Sequence, residues 1–464
     1  MAKKGRTIWV FQECGYESPK YLGRCICGAW NTMIEEAVPA EEDARRRGAA
    51  SAGRGAGAAR PIPLGRVGSA DRERIGTGIG ELDRVLGGGL VPGSLTLISG
   101  EPGIGKSTLI LQAAAKIAAS RGTVLYVSGE ESEQQIRMRA DRICGDLPDS
   151  LYVMSETDLD QVLTVCDTLQ PAFLIVDSIQ TMFTAALDSA PGSVSQVRAT
   201  GNLLMKLGKS KNVPVFIVAH VTKSGDLAGP KIVEHLVDCV LHFSGERDQE
   251  VRILRAFKNR FGTTSEIGAF RMEEGGLMEI PDLSATFLEN TDEQASGSVI
   301  TAVYEGSRPV LLEVQALAAE ANVGFARRTG VGVDQRRLSM ILAVLERRAG
   351  LRLSAEDIYV NVVGGLRPDS TSIDLGVALA IYSAFRNLPP TGRLLAIGEV
   401  GLTGDLRSVA NADRIAQEAA RLGYTEIILP ARNAEKARAL AGEGIRVTGV
   451  KNLAGAISAF REER

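Results

Sequence analysis

The sequence has no run of about 18 uninterrupted apolar residues, and this absence excludes a transmembrane helix. Its N-terminus starts with basic residues but lacks the apolar segment of a secretory signal, so we expect none. Neither sign of charge dominates, since 53 Lys and Arg residues face 56 Asp and Glu residues. A uniformly basic surface is therefore excluded, and any nucleic-acid contact must come from local patches. The chain also lacks an internal repeat of roughly 20–50 residues.

Cysteine is scarce, with six residues in 464. Cys14, Cys25 and Cys27 crowd near the N-terminus, while the other three lie singly in apolar or helical contexts typical of small buried hydrophobes. This pattern provides no extracellular disulfide framework. We therefore expect a reducing, cytoplasmic compartment and no membrane partner.

Composition divides the chain into four segments. A module rich in Cys, Gly and aromatic residues spans 1–34, and a flexible linker rich in Ala, Gly, Arg and Glu spans 35–72. Residues 73–285 alternate apolar runs with helical patterns, which predicts an α/β fold with a parallel sheet. Residues 295–464 begin a second alternating set. The strands predicted first are Leu95–Ser99, Val124–Ser128, Phe173–Val176 and Val215–Val218, with helices beginning near Lys106, Ser132, Asp158 and Ser193.

The clearest motif fits G-x-x-x-x-G-K-[ST] directly after a predicted strand. Its glycines let backbone N–H groups point at phosphate oxygens, and the helix that follows adds the positive end of its dipole. Lys106 can reach the β- and γ-phosphates of ATP, and the Ser107 hydroxyl can bind Mg²⁺. The alternative is a Gly-rich turn with an incidental lysine. The predicted nucleotide-binding residues of this loop are Gly100, Glu101, Pro102, Gly103, Ile104, Gly105, Lys106, Ser107 and Thr108.

Polar side chains also stand at the ends of three other predicted strands. Asp177 is placed to hold Mg²⁺, directly or through water, although a strand-end Asp is also a common turn former. Glu130 follows another strand and is our preferred general base for the attacking water. Glu131 competes for that role, or it lies beside a helix cap. His220 is predicted to lie near the γ-phosphate, and its alternative is a satisfied histidine in a solvated loop.

Together these motifs resemble the RecA-like ATPase core and, more closely, the bacterial RadA (Sms) family of recombination proteins. The resemblance implies a homohexameric ring with ATP between subunits, in which Lys258 and Arg260 act catalytically on the neighbour's nucleotide. From the residues alone, a solvated hairpin turn explains these two cations equally well. The segments that carry the resemblance are Thr77–Gly93, the phosphate loop, Tyr126–Ser132 and the signature motif Lys258-Asn-Arg-Phe-Gly262.

The family resemblance also implies a function. It predicts a DNA-dependent ATP hydrolase of recombinational DNA repair that moves on single-stranded and branched DNA and promotes branch migration with the RecA recombinase. Loops at about 184–196 and 221–231 would grip the DNA backbone with Lys223 and Lys231, and Arg198 would support the first loop. The alternative is a RecA-like regulatory switch that acts on a protein client.

The N-terminal module resembles the family's four-Cys zinc ribbon, with two departures. Phe11 stands where the family has Cys, and Ile26 alone separates Cys25 from Cys27. A structural zinc takes four ligands, whereas this module offers the three thiols of Cys14, Cys25 and Cys27. The alternatives are a fourth ligand from elsewhere and a ribbon without zinc.

Residues 295–464 resemble the Lon protease domain through Tyr359–Gly365, Asp374–Ile381 and Ile397–Leu406. Lon uses a Ser–Lys dyad. Ser372 falls near the serine position, but the lysine position falls at about Asp413, so we expect no peptidase activity. A basic cluster would suit a DNA backbone, and its alternative is a set of solvated faces. Its members are Arg327, Arg328, Arg336 and Arg337.

Overall fold

The protein was analysed as a computed structural model that describes residues 6–11, 17–25, 30, 32–38, 63, 73–220, 230–245, 251–289, 291–292, 295–321, 326–364, 366–442 and 444–461. The chain divides into two compact units, Met1–Glu279 and Ile280–Arg464. Within the described ranges, no helix combines the length and the apolar character that a membrane crossing requires.

Three short strands near the N-terminus form an antiparallel sheet. They are β1 (Arg6–Phe11), β2 (Glu17–Ser18) and β3 (Met33–Val38), in the order β2-β1-β3. Phe11 has no exposed surface and packs with Cys25 and Met33. A small hydrophobic cluster therefore lies inside this module.

A nine-stranded sheet forms the body of the first unit. Its strands are β4 (Leu95–Gly100), β5 (Val124–Ser128), β6 (Leu151–Ser155), β7 (Phe173–Asp177), β8 (Val215–Val218), β9 (Cys239–Ser244), β10 (Val251–Asn259), β11 (Ile267–Glu273) and β12 (Gly276–Glu279). The strand order is β12-β11-β10-β9-β4-β8-β7-β5-β6. From β9 to β6 all neighbours are parallel, and β4, β5, β7 and β8 are buried along their length, as their continuous apolar runs require. The predicted parallel α/β sheet is confirmed.

In the described residues, the helices that accompany this sheet are α1 (Gly80–Leu86), α2 (Lys106–Arg121), α3 (Glu133–Ile143), α4 (Leu159–Leu169), α5 (Val194–Lys211) and α6 (Pro230–Leu236). The four predicted helix starts are confirmed. Side-chain caps mark the start of three of these helices, whereas α2 begins after Gly105 without a side-chain cap. Ser132 and Gln135 form a capping box at α3, while Asp158 and Ser193 accept backbone N–H groups at α4 and α5.

The second unit is built on a seven-stranded mixed sheet and a separate two-stranded ribbon. The strands are β13 (Ser298–Glu305), β14 (Arg308–Glu320), β15 (Arg328–Val331), β16 (Glu356–Val362), β17 (Leu394–Ala396), β18 (Glu399–Val400), β19 (Leu406–Arg407), β20 (Glu426–Pro430) and β21 (Arg446–Val450). The large sheet has the order β15-β16-β14-β13-β17-β20-β21, and β18 pairs with β19. The helices are α7 (Leu283–Leu288), α8 (Gln335–Ala349), α9 (Asp374–Arg386), α10 (Ala412–Arg421), α11 (Ala434–Ala441) and α12 (Leu453–Arg461).

Candidate nucleotide-binding site

The phosphate loop leaves β4 and enters α2 through glycines. At Gly100 and Gly105, the Cβ atom of any other residue would force a neighbouring atom to move. A Cβ on Gly100 would lie 2.4 Å from the carbonyl oxygen of Phe243. Gly105, the N-cap of α2, has a φ of 112°, and a Cβ there would lie 2.8 Å from Cε of Met272. The tight curl of this loop therefore follows directly from its glycine spacing.

The loop and the carboxyl ends of β5, β7 and β8 enclose a cleft of about 290 Å³. The cleft thus brings together Glu130, Asp177 and His220 with five of the nine predicted loop residues. Ile104 lies in the same loop, but its side chain is buried in the hydrophobic core. The lining residues are Gly103, Gly105, Lys106, Ser107, Thr108, Ser128, Glu130, Glu131, Arg139, Asp177, His220 and Met272.

Lys106 is buried and folds back onto its own loop. Its Nζ donates to the carbonyl oxygens of Gly100 and Glu101, at 2.8 and 2.9 Å. Burial lowers the pKa of Lys106 to about 8, although the carboxylates of Asp177 and Glu130 act in the opposite direction. Phosphate oxygens entering the cleft must therefore replace two carbonyl partners of this cation.

The two adjacent glutamates of the cleft have different partners. Oε1 of Glu130 accepts from the Ser178 hydroxyl at 2.6 Å, and Nε2 of His220 lies 3.5 Å from the same oxygen. Oε1 of Glu131 instead accepts from the Arg139 guanidinium at 2.9 Å. Glu131 is thus neutralised by a permanent cation, whereas Glu130 keeps a neutral hydroxyl partner at the cleft wall.

Asp177 is held at the end of β7 by two residues that were not predicted to belong to the site. The Tyr126 hydroxyl donates to its Oδ2 at 2.6 Å, and Arg139 donates to the Tyr126 oxygen at 3.3 Å. Burial and the nearby Asp177 raise the pKa of Tyr126. Asp177 and the Ser107 hydroxyl offer the cleft oxygen ligands of the kind that Mg²⁺ prefers, so these residues fit that ion.

Lys258 and Arg260 lie away from this cleft. Across the sheet, Lys258 lies opposite Val240 of β9, and Val240 in turn pairs with Leu97 of β4. Leu97 stands three residues before Gly100, where the phosphate loop begins. About 10 Å of strand and two strand spacings of about 5 Å therefore separate Lys258 from its own loop.

Both of these cations are anchored within the first unit. Nζ of Lys258 donates to the carbonyl oxygen of Glu234 at the end of α6, at 2.8 Å. Arg260 donates to Oδ1 of Asp238 at 3.1 Å. Burial and the nearby Arg260 lower the pKa of Lys258. β10 and β11 pair with each other as an antiparallel hairpin.

The loop after β7 is organised by a buried residue that we did not predict. Gln196 accepts from the Thr184 amide at 2.9 Å and donates to the carbonyl oxygens of Thr184 and Ser189, at 3.2 and 3.0 Å. Arg198 lies exposed on α5, one turn from the start of that helix. Lys223 lies outside the described residues, and only the backbone of Lys231, within α6, belongs to them.

In the N-terminal module, Cys14 and Cys27 also lie outside the described residues. The described part of the chain contains no group of three His, Cys, Asp or Glu side chains that could hold a metal. The predicted fourth ligand position carries Phe11, which is fully buried against Cys25 and Met33. The residues therefore do not fit a four-thiolate zinc site.

In the second unit, the hydroxyl of Ser372 is buried and fully engaged. It donates to the carbonyl oxygen of Ala302 at 2.9 Å and accepts from the Ser370 hydroxyl at 2.9 Å. Two members of the predicted basic cluster also have internal partners. Arg337 pairs with the buried Asp374, and Arg328 donates to the carbonyl oxygen of Leu353 at 2.8 Å.

Comparison with known families and proteins supports this description. Residues 64–226 match the family described as AAA domain, residues 318–433 match the subunit ChlI of Mg-chelatase, and residues 9–35 match the rubredoxin metal binding domain. The DNA repair protein RadA of Bacillus subtilis (strain 168) is 48% identical over 455 residues, which cover 98% of each chain. RadA of Streptococcus pyogenes serotype M1 is 46% identical over 460 residues, 99% of each chain. Among solved structures, the RadB recombinase aligns with 44% of this chain and 99% of its own, at 22% identity and a TM-score of 0.36.

A strand followed by a glycine-rich phosphate loop, with acidic side chains at the ends of neighbouring parallel strands, defines a RecA-like ATPase. Its AAA domain indicates ATP and Mg²⁺ as ligands, and its N-terminal segment is of a metal-binding type. With full-length relatives at 46–48% identity, the chain belongs to the RadA family of DNA repair proteins.

Proposed function

We propose that this chain is a DNA-dependent ATPase that works as a homohexameric ring on single-stranded and branched DNA and promotes branch migration alongside the RecA recombinase. The observation that carries the proposal is the position of Lys258 and Arg260. Both cations are fixed by hydrogen bonds, yet both lie far from their own phosphate loop. Rigid cations at such a distance suit the nucleotide of a neighbouring copy, where they stabilise charge on the transferred phosphoryl group.

In this proposal the hydrolytic chemistry is divided among the residues of the cleft. The loop amides and Lys106 hold the phosphates, and Glu130 accepts a proton from the attacking water while Ser178 fixes one of its oxygens. Glu131 does not compete, because Arg139 occupies it. Bound Mg²⁺ would supply charge neutralisation at the phosphate oxygens, with Ser107 and Asp177 as its protein partners.

The proposed DNA contacts follow from the order of the strands. In the chain, the loops at 184–196 and 221–231 follow β7 and β8, which are neighbours and whose carboxyl ends lie at the sheet edge that holds the phosphate loop. His220 lines the cleft and directly precedes the second loop in the sequence. We therefore assign the DNA backbone to Lys223 and Lys231, with Arg198 supporting the first loop.

The test is a mixing experiment with two inactive variants. Lys106→Ala removes the phosphate-loop cation, and Lys258→Ala removes the cation assigned to the neighbouring site. In rings assembled from equal amounts of both, about a quarter of the interfaces contain one intact loop facing one intact Lys258. DNA-stimulated ATP turnover should reappear in the mixture. Lys211→Ala is the matched control, because it also removes a lysine that donates to a helix carbonyl oxygen. By itself it should keep the ATP turnover of the unmodified chain.

Absence of rescue in the mixture would contradict action on the neighbour. A turnover indifferent to single-stranded DNA would contradict the motor and favour the regulatory switch on a protein client. DNA binding through backbone phosphates should also weaken steeply with salt, which a protein client would not require.

A further inference from the structure

Tyr126, Arg139 and Asp177 form a chain of hydrogen bonds whose direction is fixed by chemistry. Arginine has only donors, so the Tyr126 oxygen must accept from Arg139 at 3.3 Å. Its own hydrogen is then directed to Oδ2 of Asp177, at 2.6 Å. That distance lies within the normal range for a hydroxyl group donating to an oxygen acceptor.

The fold explains how these three residues meet. Tyr126 pairs with Ile175 across β5 and β7, and Asp177 lies two residues further along the same face, within diagonal reach of an aromatic side chain. Arg139 lies on α3, whose capping box fixes the start of the helix and whose buried Ile136 and Ala140 fix its rotation. Arg139 also donates to Glu131 at 2.9 Å, which holds the guanidinium at the cleft wall.

The consequence concerns the two oxygens of Asp177. Oδ2 is occupied by Tyr126, whereas Oδ1 makes no hydrogen bond to any residue that the structure describes. A carboxylate held by one oxygen cannot rotate freely, so its other oxygen keeps a constant direction in the cleft. Removing a group that holds a metal-ligand residue in this way commonly weakens metal affinity by roughly 10- to 100-fold.

The geometry points to Tyr126 and Arg139 as positioning residues that orient Asp177 for Mg²⁺ in the nucleotide complex. This inference rests on the proposed ATPase function. A purely structural role in the core would alter stability but would leave metal affinity unchanged. Metal affinity is therefore the property that separates the two roles.

The experiment measures metal binding directly. The full-length protein is saturated with ADP and titrated with Mn²⁺, and free Mn²⁺ is followed by electron paramagnetic resonance, with an ADP-free titration subtracted. Tyr126→Phe, which keeps the ring, should need about tenfold more Mn²⁺ for half-occupancy. Arg139→Lys, which keeps the charge but cannot bridge Tyr126 and Glu131, should give a smaller shift in the same direction. Tyr152→Phe, on β6 with a half-exposed ring, is the matched control and should bind as the unmodified chain does.

The outcomes separate this inference from the proposed function. The positioning role is overturned if the unmodified chain hydrolyses ATP and binds Mn²⁺ and if Tyr126→Phe and Arg139→Lys bind Mn²⁺ as tightly as the unmodified chain does. The ATPase function would then still stand. If the unmodified chain shows neither ADP-dependent Mn²⁺ binding nor ATP turnover, the proposed function itself fails. Thermal unfolding identifies a Tyr126→Phe protein that does not fold. In that case Arg139→Lys tests the positioning role, because its side chain lies at the cleft wall rather than within the sheet core and the change should not prevent folding.

Discussion

The hydroxyl oxygen of Ser178 lies 2.6 Å from Oε1 of Glu130, so this carboxylate is aligned by a neutral donor. The partner of Glu130 is a neutral hydroxyl, whereas Oε1 of Glu131 is bound to the guanidinium of Arg139 at 2.9 Å. The arrangement therefore distinguishes two adjacent glutamates that are chemically identical in the sequence.

We predict that Glu130→Gln lowers the ATP turnover number by about 100-fold or more, the usual contribution of a general base. Glu131→Gln should change it by less than about fivefold, because a partly exposed ion pair contributes about 1 kcal/mol or less. Steady-state turnover measures both effects, and binding of a fluorescent ATP analogue checks that both variants still hold nucleotide. Equal losses in the two variants would contradict the assignment.

A second prediction concerns pH. The pKa of Lys106 is about 8 in the nucleotide-free protein, and only its charged form attracts phosphates. As the pH rises through 8 the free protein loses this proton, while the nucleotide complex retains it. ATP affinity should therefore fall above pH 8, by up to about tenfold per pH unit.

Calorimetry in two buffers of different ionisation enthalpy should show proton uptake on nucleotide binding at pH 9 and little at pH 7. Lys106→Ala removes the titrating group, so its weaker binding should lack this component. Proton uptake that is the same at pH 7 and pH 9, or that persists in Lys106→Ala, would assign the effect to another group.

The sequence predicted the parts of this site whose geometry is local. The phosphate loop carries its own conformation in its glycines, and strand-end residues such as Asp177 and His220 meet because parallel strands end at one edge. Tyr126 and Arg139 were missed because their role depends on which strand lies beside β5 and on the rotation of α3. A signal was present, since a tyrosine interrupts an apolar strand and Arg139 lies three residues after the buried Ile136.

Other features could not be predicted from sequence at all. The return of Lys106 to the carbonyls of its own loop depends on the three-dimensional conformation of that loop. Gln196 resembles any polar helix residue until the loop at 184–189 closes over it. Both cases depend on contacts made by tertiary packing rather than on local pattern.

A third prediction concerns Ser372. Its hydroxyl satisfies the buried carbonyl oxygen of Ala302, so Ser372→Ala should destabilise the protein by about 1–3 kcal/mol, the cost of leaving a buried polar group unpaired. Thermal unfolding measures this. Ser339→Ala, which removes an exposed hydroxyl on α8, should stay within about 0.5 kcal/mol. A casein-degrading activity that Ser372→Ala abolishes would contradict a purely structural hydroxyl.

The last prediction concerns metal removal. Phe11 forms the centre of a hydrophobic cluster with Cys25 and Met33, so the described part of the N-terminal module has a packed core of its own. Both tryptophans of the chain, Trp9 and Trp30, lie in this module, and intrinsic tryptophan fluorescence therefore reports on it alone. We expect EDTA to leave the emission spectrum unchanged, because packing rather than a complete set of metal ligands maintains the module.

Phe11→Ala tests the same point from the other side. Removing a fully buried phenylalanine costs about 3–5 kcal/mol, and a cluster this small has few other contacts to hold the module together. Trp30 is already exposed, so the emission of Trp9, which packs against the cluster, should shift to that of exposed tryptophan. Phe11→Cys supplies a fourth thiol, and the purified variant should gain zinc by elemental analysis relative to the unmodified chain. A red shift of the unmodified chain in EDTA, with one equivalent of zinc released, would instead show that its three thiols hold a structural metal with a ligand from elsewhere.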